Sequence, residues 1–385
     1  MPDFLGEKGE KKVEYLELIY DLIFVYIIGR NNSLLHFLEN GFLLPEAYLT
    51  YVITTLIVLQ IWFYTTLFVN RYGTNGLAEH IATFINMYLL YYMADGTRLR
   101  WQGLYGRYNI AWGLILLNLA VQYALKLRKS SGLMPWEDRH LKLNMRILLA
   151  QAVLVLASVP VYAATGIPLS PLAVPFGMIA FGLSDRVNRL VTVDFPHLTE
   201  RVMLYVVFTF GEMIIGLSGY FEGGFAPRSV YFSLMGFLIV AGLFTSYGFV
   251  YDHLLDRERK TNGTGFMLLH IFLIAALNNI TVALEFMQEA DVAIVPKNVF
   301  LVASLMAYFL FLFWLERYAV VRLEQNRRFL AALLGSFAAF ILLMAMTYRN
   351  AAVSIAVTVA FVYGLFFIIR FYWRKIQILG ELPEG

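Results

Sequence analysis

The chain has 385 residues, of which 59% are hydrophobic and only 15% charged, with a formal net charge of +3 and no cysteine. Soluble domains carry about 25% charged residues, so this composition, with a mean hydropathy of +0.65, excludes a sizeable extramembrane domain. The missing cysteines exclude thiol catalysis, disulfides and thiolate metal sites, and no basic surface domain argues for nucleic acid.

The opening dodecapeptide MPDFLGEKGEKK is polar and lacks a signal-peptide cleavage pattern, so the first helix is expected to be retained and to act as its own insertion signal. Apolar runs of about 20 residues mark spans. They predict helices near 13–36, 46–69, 77–95, 104–127, 142–165 and 170–187, then near 199–221, 228–253, 263–288, 296–319, 328–348 and 350–373. Pro168, Pro171 and Pro175 crowd the start of the sixth and break it or turn it back. The short loops predict one all-α, polytopic membrane helix bundle of about 12 transmembrane helices. Its parts are a cytoplasmic tail (1–12), a first six-helix half (13–190), a second (191–373) and a cytoplasmic tail (374–385).

With both termini cytoplasmic, 23 of the 30 lysines and arginines fall on the inner side and 7 on the outer, in keeping with the positive-inside rule. The exception is the outer loop carrying Arg98, Arg100 and Arg107.

An internal repeat is expected as well. His80 and Asp95 recur 190 residues later as His270 and Glu285, and Asp21 falls within a residue of Glu212 at the same offset. Halves with an even number of spans are parallel, related by an axis along the membrane normal.

The first helix reads VEYLELIYDLIFVYIIG. Glu14, Glu17 and Asp21 are spaced i, i+3 and i+7 on one face, and Asp21 lies about 12 Å inside the helix start. An ionised carboxylate at mid-bilayer costs about 3 kcal/mol on insertion scales, so such groups face a bundle interior. Proton coupling is one use of this pair; a structural helix-to-helix bond is the other. The seventh helix carries Glu200 and Arg201 at its cytoplasmic entry, where Arg201 is expected to snorkel to the headgroups. Glu212 lies deep, beside Gly211. Arg201 and Glu212, eleven residues apart, are expected to share a face without touching.

His36, His80, His140, His197, His253 and His270 form no HxxxH or HExxH pair, so no zinc site and no metalloenzyme is expected. No cofactor motif appears: there is no P-loop, no Rossmann pattern and no lysine placed for a retinal Schiff base. Tyr15, Tyr20, Tyr64, Tyr91 and Tyr92 line a cavity or simply pack.

The run Glu17-Leu18-Ile19-Tyr20-Asp21-Leu22-Ile23-Phe24-Val25 resembles the opening helix of the bacterial low temperature requirement A (LtrA) family. Trp62, Tyr64 and Asn70-Arg71-Tyr72 continue the resemblance, as do His80, Glu200-Arg201, Gly211-Glu212, Tyr251-Asp252 and His270. It is clear over about residues 13–290 and weaker beyond. Two positions depart from the pattern: Trp62-Phe63 and Tyr247-Gly248 stand where paired tryptophans are expected. The resemblance implies an integral protein of the bacterial cytoplasmic membrane with no settled biochemical activity.

The leading expectation is a secondary-transporter- or permease-like protein handling a small solute or ion, with membrane lipid as surroundings and a homodimer left open. Its candidate residues are Asp21, Glu212, Glu17, Arg201, Glu200, His80, His270, Arg71, Asp95 and Glu285. The alternatives are an intramembrane enzyme acting on a lipid or isoprenoid, with the carboxylates as acid and base, and a structural or sensory membrane protein.

Overall fold

Thirteen α-helices carry the described part of the chain, which in this computed structural model is residues 12–96, 103–129, 132, 134–221, 224–289, 291–320, 323 and 326–378. Arg98 and Arg100 of the exceptional loop lie outside the described residues.

The helices are α1 (Tyr15–Asn32), α2 (Pro45–Tyr72), α3 (Leu77–Gly96), α4 (Tyr105–Lys129), α5 (Pro135–Thr165), α6 (Ala173–Leu183) and α7 (Asp185–Asn188). They continue as α8 (Phe195–Gly216), α9 (Pro227–Phe249), α10 (Thr264–Gln288), α11 (Ile294–Trp314), α12 (Arg327–Thr347) and α13 (Ala351–Ile378). In lipid a helix satisfies its own backbone, which is why apolar runs of this length take no other form. Among the described residues, nine helices are long and apolar enough to cross a membrane: α2, α4, α5, α8, α9, α10, α11, α12 and α13.

The three remaining predicted spans differ for identifiable reasons. α1 carries Glu17, Asp21 and Arg30 within 18 residues, and α3 carries Glu79, His80 and Asp95 within 20; both spend apolar length on charge. The sixth predicted helix is divided. A 3-10 turn at Ser170–Leu172 leads into α6, which has only 11 residues, and the four-residue α7 follows. At 1.5 Å per residue α6 is about 16 Å long, half the hydrocarbon thickness.

The first helix also ends earlier than its apolar run suggests. After Asn32 the Ser33 hydroxyl bonds the Arg30 carbonyl at 2.7 Å, and the chain turns through Ser33–His36 into a two-stranded hairpin, Leu38–Glu39 against Phe42–Leu43. Its tip, Asn40-Gly41, has positive φ at both residues (53° and 79°), the backbone that a tight two-residue hairpin requires.

The chain divides into two compact units interleaved in sequence. The first comprises Met1–Leu34, Leu49–Tyr205 and Arg257–Gly265; the second comprises Leu35–Tyr48, Val206–Asp256 and Phe266–Gly385. In the first, α3 packs on α1 and α4, and α4 on α5, which also contacts α6. In the second, α13 packs on α9 and α12. Within the first unit α6 reaches α2 and α5 through Gly177. A side-chain carbon there would stand 2.5 Å from the Tyr64 hydroxyl and 2.7 Å from both Gln151 Oε1 and Gln60 Nε2.

Candidate functional site

Arg201 is the centre of the first unit's polar interior. It follows the first turn of α8, and only 1% of its surface is exposed. An apolar helix brings this cation inward because two carboxylates of α1 wait for it. Its Nε and Nη2 donate to Asp21 Oδ2 and Oδ1 at 3.1 and 2.9 Å, and its Nη1 donates to Glu17 Oε2 at 2.8 Å. The fork on Asp21 is the strong, directional form of this contact. The expected snorkelling of Arg201 is therefore corrected: a buried ion pair outcompetes the headgroup region, since the guanidinium finds both neutralisation and hydrogen bonds inside.

The two carboxylates are held differently. Asp21, with no exposed surface, also accepts from the Trp62 indole of α2 at 3.1 Å. That ring lies against Tyr205, centroids 4.4 Å apart, so the donor is fixed by packing. Glu17 takes one Arg201 nitrogen, and its Oε1 lies 3.3 Å from His197 Nε2.

The histidine tautomer follows from its neighbours. The Asp194 backbone N–H donates to Asn70 Oδ1 at 2.9 Å while Asn70 Nδ2 donates to the Asp194 carbonyl at 2.8 Å, which fixes the amide's orientation. Nδ2 then donates to His197 Nδ1 at 3.0 Å, which must present a lone pair. The proton sits on Nε2, which lies 3.3 Å from Glu17 Oε1 but makes no hydrogen bond to it.

Above this cluster a cavity of about 250 Å³ opens, with Arg201 and Glu17 in its wall. Glu14, Leu16 and Tyr20 of the first segment line it, with Thr65 and Val69 of α2 and Glu79 and Thr83 of α3. Glu79 is held in place by the Thr74 and Asn75 backbone N–H groups, each at 2.9 Å. The shared face of Glu14 and Glu17 read from their spacing is thus a cavity wall.

Of the other candidates, Arg71 lies in the first unit but outside the cluster, donating to His140 Nε2 at 3.1 Å and to the Asn262 carbonyl at 2.7 Å. Glu200 is half-buried near the start of α8. His80 bonds the Gly76 carbonyl through Nδ1 at 3.0 Å, and Asp95 is exposed, 4.0 Å from Arg107. Glu212, Glu285 and His270 belong to the second unit. There Glu212 is half-buried, within electrostatic reach of Glu285. His270 bonds Tyr247 and, through Nδ1, the Phe266 carbonyl at 2.9 Å.

His36 makes a separate contact in the second unit. It stands in the turn after α1, with Nε2 3.1 Å from Glu285 and Nδ1 3.2 Å from Glu289. The hydrogen bond to Glu285 raises its pKa above the ordinary histidine value. Among the described residues, no group of three or more His, Asp or Glu side chains is arranged to hold a metal ion.

His197 and Trp62 join the site without having been among its candidate residues. His197 was within reach, because it precedes Arg201 by four residues and so shares its helical face. Trp62 gave no such signal.

Apolar helices of spanning length and a charged cluster buried among them define a multi-pass transmembrane protein. Residues 12–363 match the family described as bacterial low temperature requirement A protein (LtrA). The chain belongs to that family. No match was found among curated proteins or among solved structures.

Proposed function

We propose that the protein is a secondary-transporter- or permease-like member of its family, handling a small solute or ion at the cavity above Arg201. The observation that carries this reading is the asymmetry of the Arg201 pairs. Asp21 is held by both arms of the guanidinium fork and by an indole, away from the cavity. Glu17 is held by one arm and lines the cavity. Asp21 is then the frame and Glu17 the exchangeable group. A proton entering from the cavity neutralises Glu17 and loosens one arm of Arg201, while the fork on Asp21 stays closed. His197 Nε2, 3.3 Å from Glu17 Oε1 and without a hydrogen-bond partner among the described residues, is a buried donor that a small turn of the Glu17 carboxyl would engage. The deep Asp21, favoured over Glu17 by the sequence alone, has the lesser chemical role.

The reading extends to topology: twelve crossings, with α1, α3 and the divided sixth segment included, and both termini in the cytoplasm of a bacterial inner membrane. Buried partners meet Glu17 and Asp21 of α1, and Glu79 and Asp95 stand at the two ends of α3, which lets both helices cross despite their charges. A parallel duplication draws support from His80 and His270, each bonding the carbonyl four residues earlier. It draws none from Asp21 and Glu212, one fully buried in a bidentate pair and the other half-buried beside an acid. The functional reading accordingly rests on the first-unit cluster alone.

The test is proton flux in liposomes holding purified protein and a pH-sensitive dye. The expected result is a flux above that of empty liposomes that falls at least about a hundredfold in Glu17→Gln, the lower end of what one general acid–base group contributes. Equal flux in wild type and in a folded Glu17→Gln variant assigns the cluster to structure instead.

A further inference from the structure

We infer that the cavity above Arg201 receives a small organic cation, an ammonium group on a short apolar carbon frame; this rests on the proposal that the cavity is a solute site. Charge is the first argument. The wall contributes Glu14, Glu17 and Glu79, with Asp21 directly behind, against the single guanidinium of Arg201 among the described lining residues. Arg201 already serves two carboxylates, so an entering anion would meet a cation whose charge is matched and three acids that repel it. Clefts lined by one sign of charge concentrate ligands of the other.

Glu14 is the group poised for a ligand. It stands just before α1, and its side chain makes no capping bond to the helix. Glu79, by contrast, is fixed by the Thr74–Asn75 turn, where Thr74 Oγ1 adds a bond of 2.8 Å. An ammonium head between Glu14 and Glu17 finds carboxylate acceptors on both, and Thr65 and Thr83 offer hydroxyls beside it.

The remaining wall distinguishes an organic cation from a bare one. Leu16, Val69 and the ring of Tyr20 line the same space, where a hydrated ion gains nothing and a methylene chain is removed from water. A metal ion requires a ring of oxygen or nitrogen ligands, and the described residues hold no such group. The volume of about 250 Å³ corresponds to about eight water molecules at 30 Å³ each, which suits a solute of similar heavy-atom count.

The experiment is equilibrium binding to the full-length protein in lipid nanodiscs. The probes are methylammonium, butylammonium and 1,4-diaminobutane, with butyrate and 1-butanol as matched controls. The expected result is saturable binding of butylammonium or the diamine, with butyrate at least about tenfold weaker because its charge is repelled. Glu14→Gln should weaken the ammonium probes about tenfold, and Glu14→Asp should retain most of the affinity. Glu14 stands outside the ion-paired cluster, so both variants are expected to fold, which near-ultraviolet circular dichroism checks. Butyrate or butanol binding as tightly as butylammonium, or affinity unchanged in Glu14→Gln, overturns the inference. Glu17-dependent proton flux with no ammonium probe bound overturns it as well and leaves the transport reading standing. Ammonium binding without proton flux does the reverse.

Discussion

Replacing Arg201 by Met isolates the energetics of the buried cluster. The substitution keeps much of the side chain's apolar volume and removes the charge. Glu17 and Asp21 lose bonds of 2.8, 2.9 and 3.1 Å and are left buried as two acids without their cation. At an effective dielectric near 20, one charge pair about 4 Å apart is worth about 4 kcal/mol, so two pairs lose about 8 in gross terms. Against this stands the desolvation of the guanidinium, several kcal/mol, which the variant no longer incurs. The net loss expected is about 3–5 kcal/mol, the range for removing one partner from a buried pair. Unfolding titrations with SDS in mixed micelles, followed by tryptophan fluorescence, measure it. The triple variant Glu17→Gln, Asp21→Asn, Arg201→Met removes every formal charge and should recover most of the loss. Acidification should also narrow the gap between Arg201→Met and wild type, since a protonated carboxyl carries no charge. A loss below about 1 kcal/mol, the level of an exposed pair, or a triple variant no better than the single one, refutes the reasoning.

Two further predictions follow from groups outside the cluster. His36 faces Glu285 and Glu289, with the Phe286 ring 5.9 Å away and Lys297 donating to the Glu289 carbonyl. Its pKa is raised mainly by the bond to Glu285. The stability it adds is therefore complete below the unfolded-state value of about 6.5 and is lost as pH rises through the higher folded value. At 41% exposure of the side chain solvent screens the pair, so a loss of about 0.5 kcal/mol is expected on raising the pH; thermal melts of His36→Gln should lack that change, and an identical slope in the variant contradicts the assignment. Reporter fusions after Leu127 and after Arg374 should read cytoplasmic, and a fusion in the 222–227 loop should read external. The opposite pattern reverses the orientation.

The sequence exposed the helices that are apolar throughout, because a run of some 20 apolar residues has few alternatives in lipid. It was less informative where polar chemistry intrudes. The early end of α1 at Asn32 and the Asn40-Gly41 hairpin belong to local turn rules, which the apolar pattern does not record. The prolines marked the divided sixth segment correctly as a weak helix. At the site, Glu17, Asp21 and Arg201 each stood out as charges in apolar surroundings. Their union did not, because periodicity orders residues along one helix and is silent about which helix, 180 residues away, lies opposite. Arg201 read as an interfacial residue for the same reason: its depth is set by the acids it meets. His197 and Asn70 enter the site through contacts between helices, which no spacing records.

Infrared difference spectroscopy tests most directly whether Glu17 is the exchangeable acid. Spectra of the protein in lipid would be compared between about pH 3 and pH 9, a range that brackets ordinary carboxylate and histidine titration. With Glu17 as that acid, a protonated-carboxyl carbonyl band grows on acidification and is missing in Glu17→Gln, while Asp21→Asn leaves it in place. A band lost in Asp21→Asn and retained in Glu17→Gln would contradict that role for Glu17.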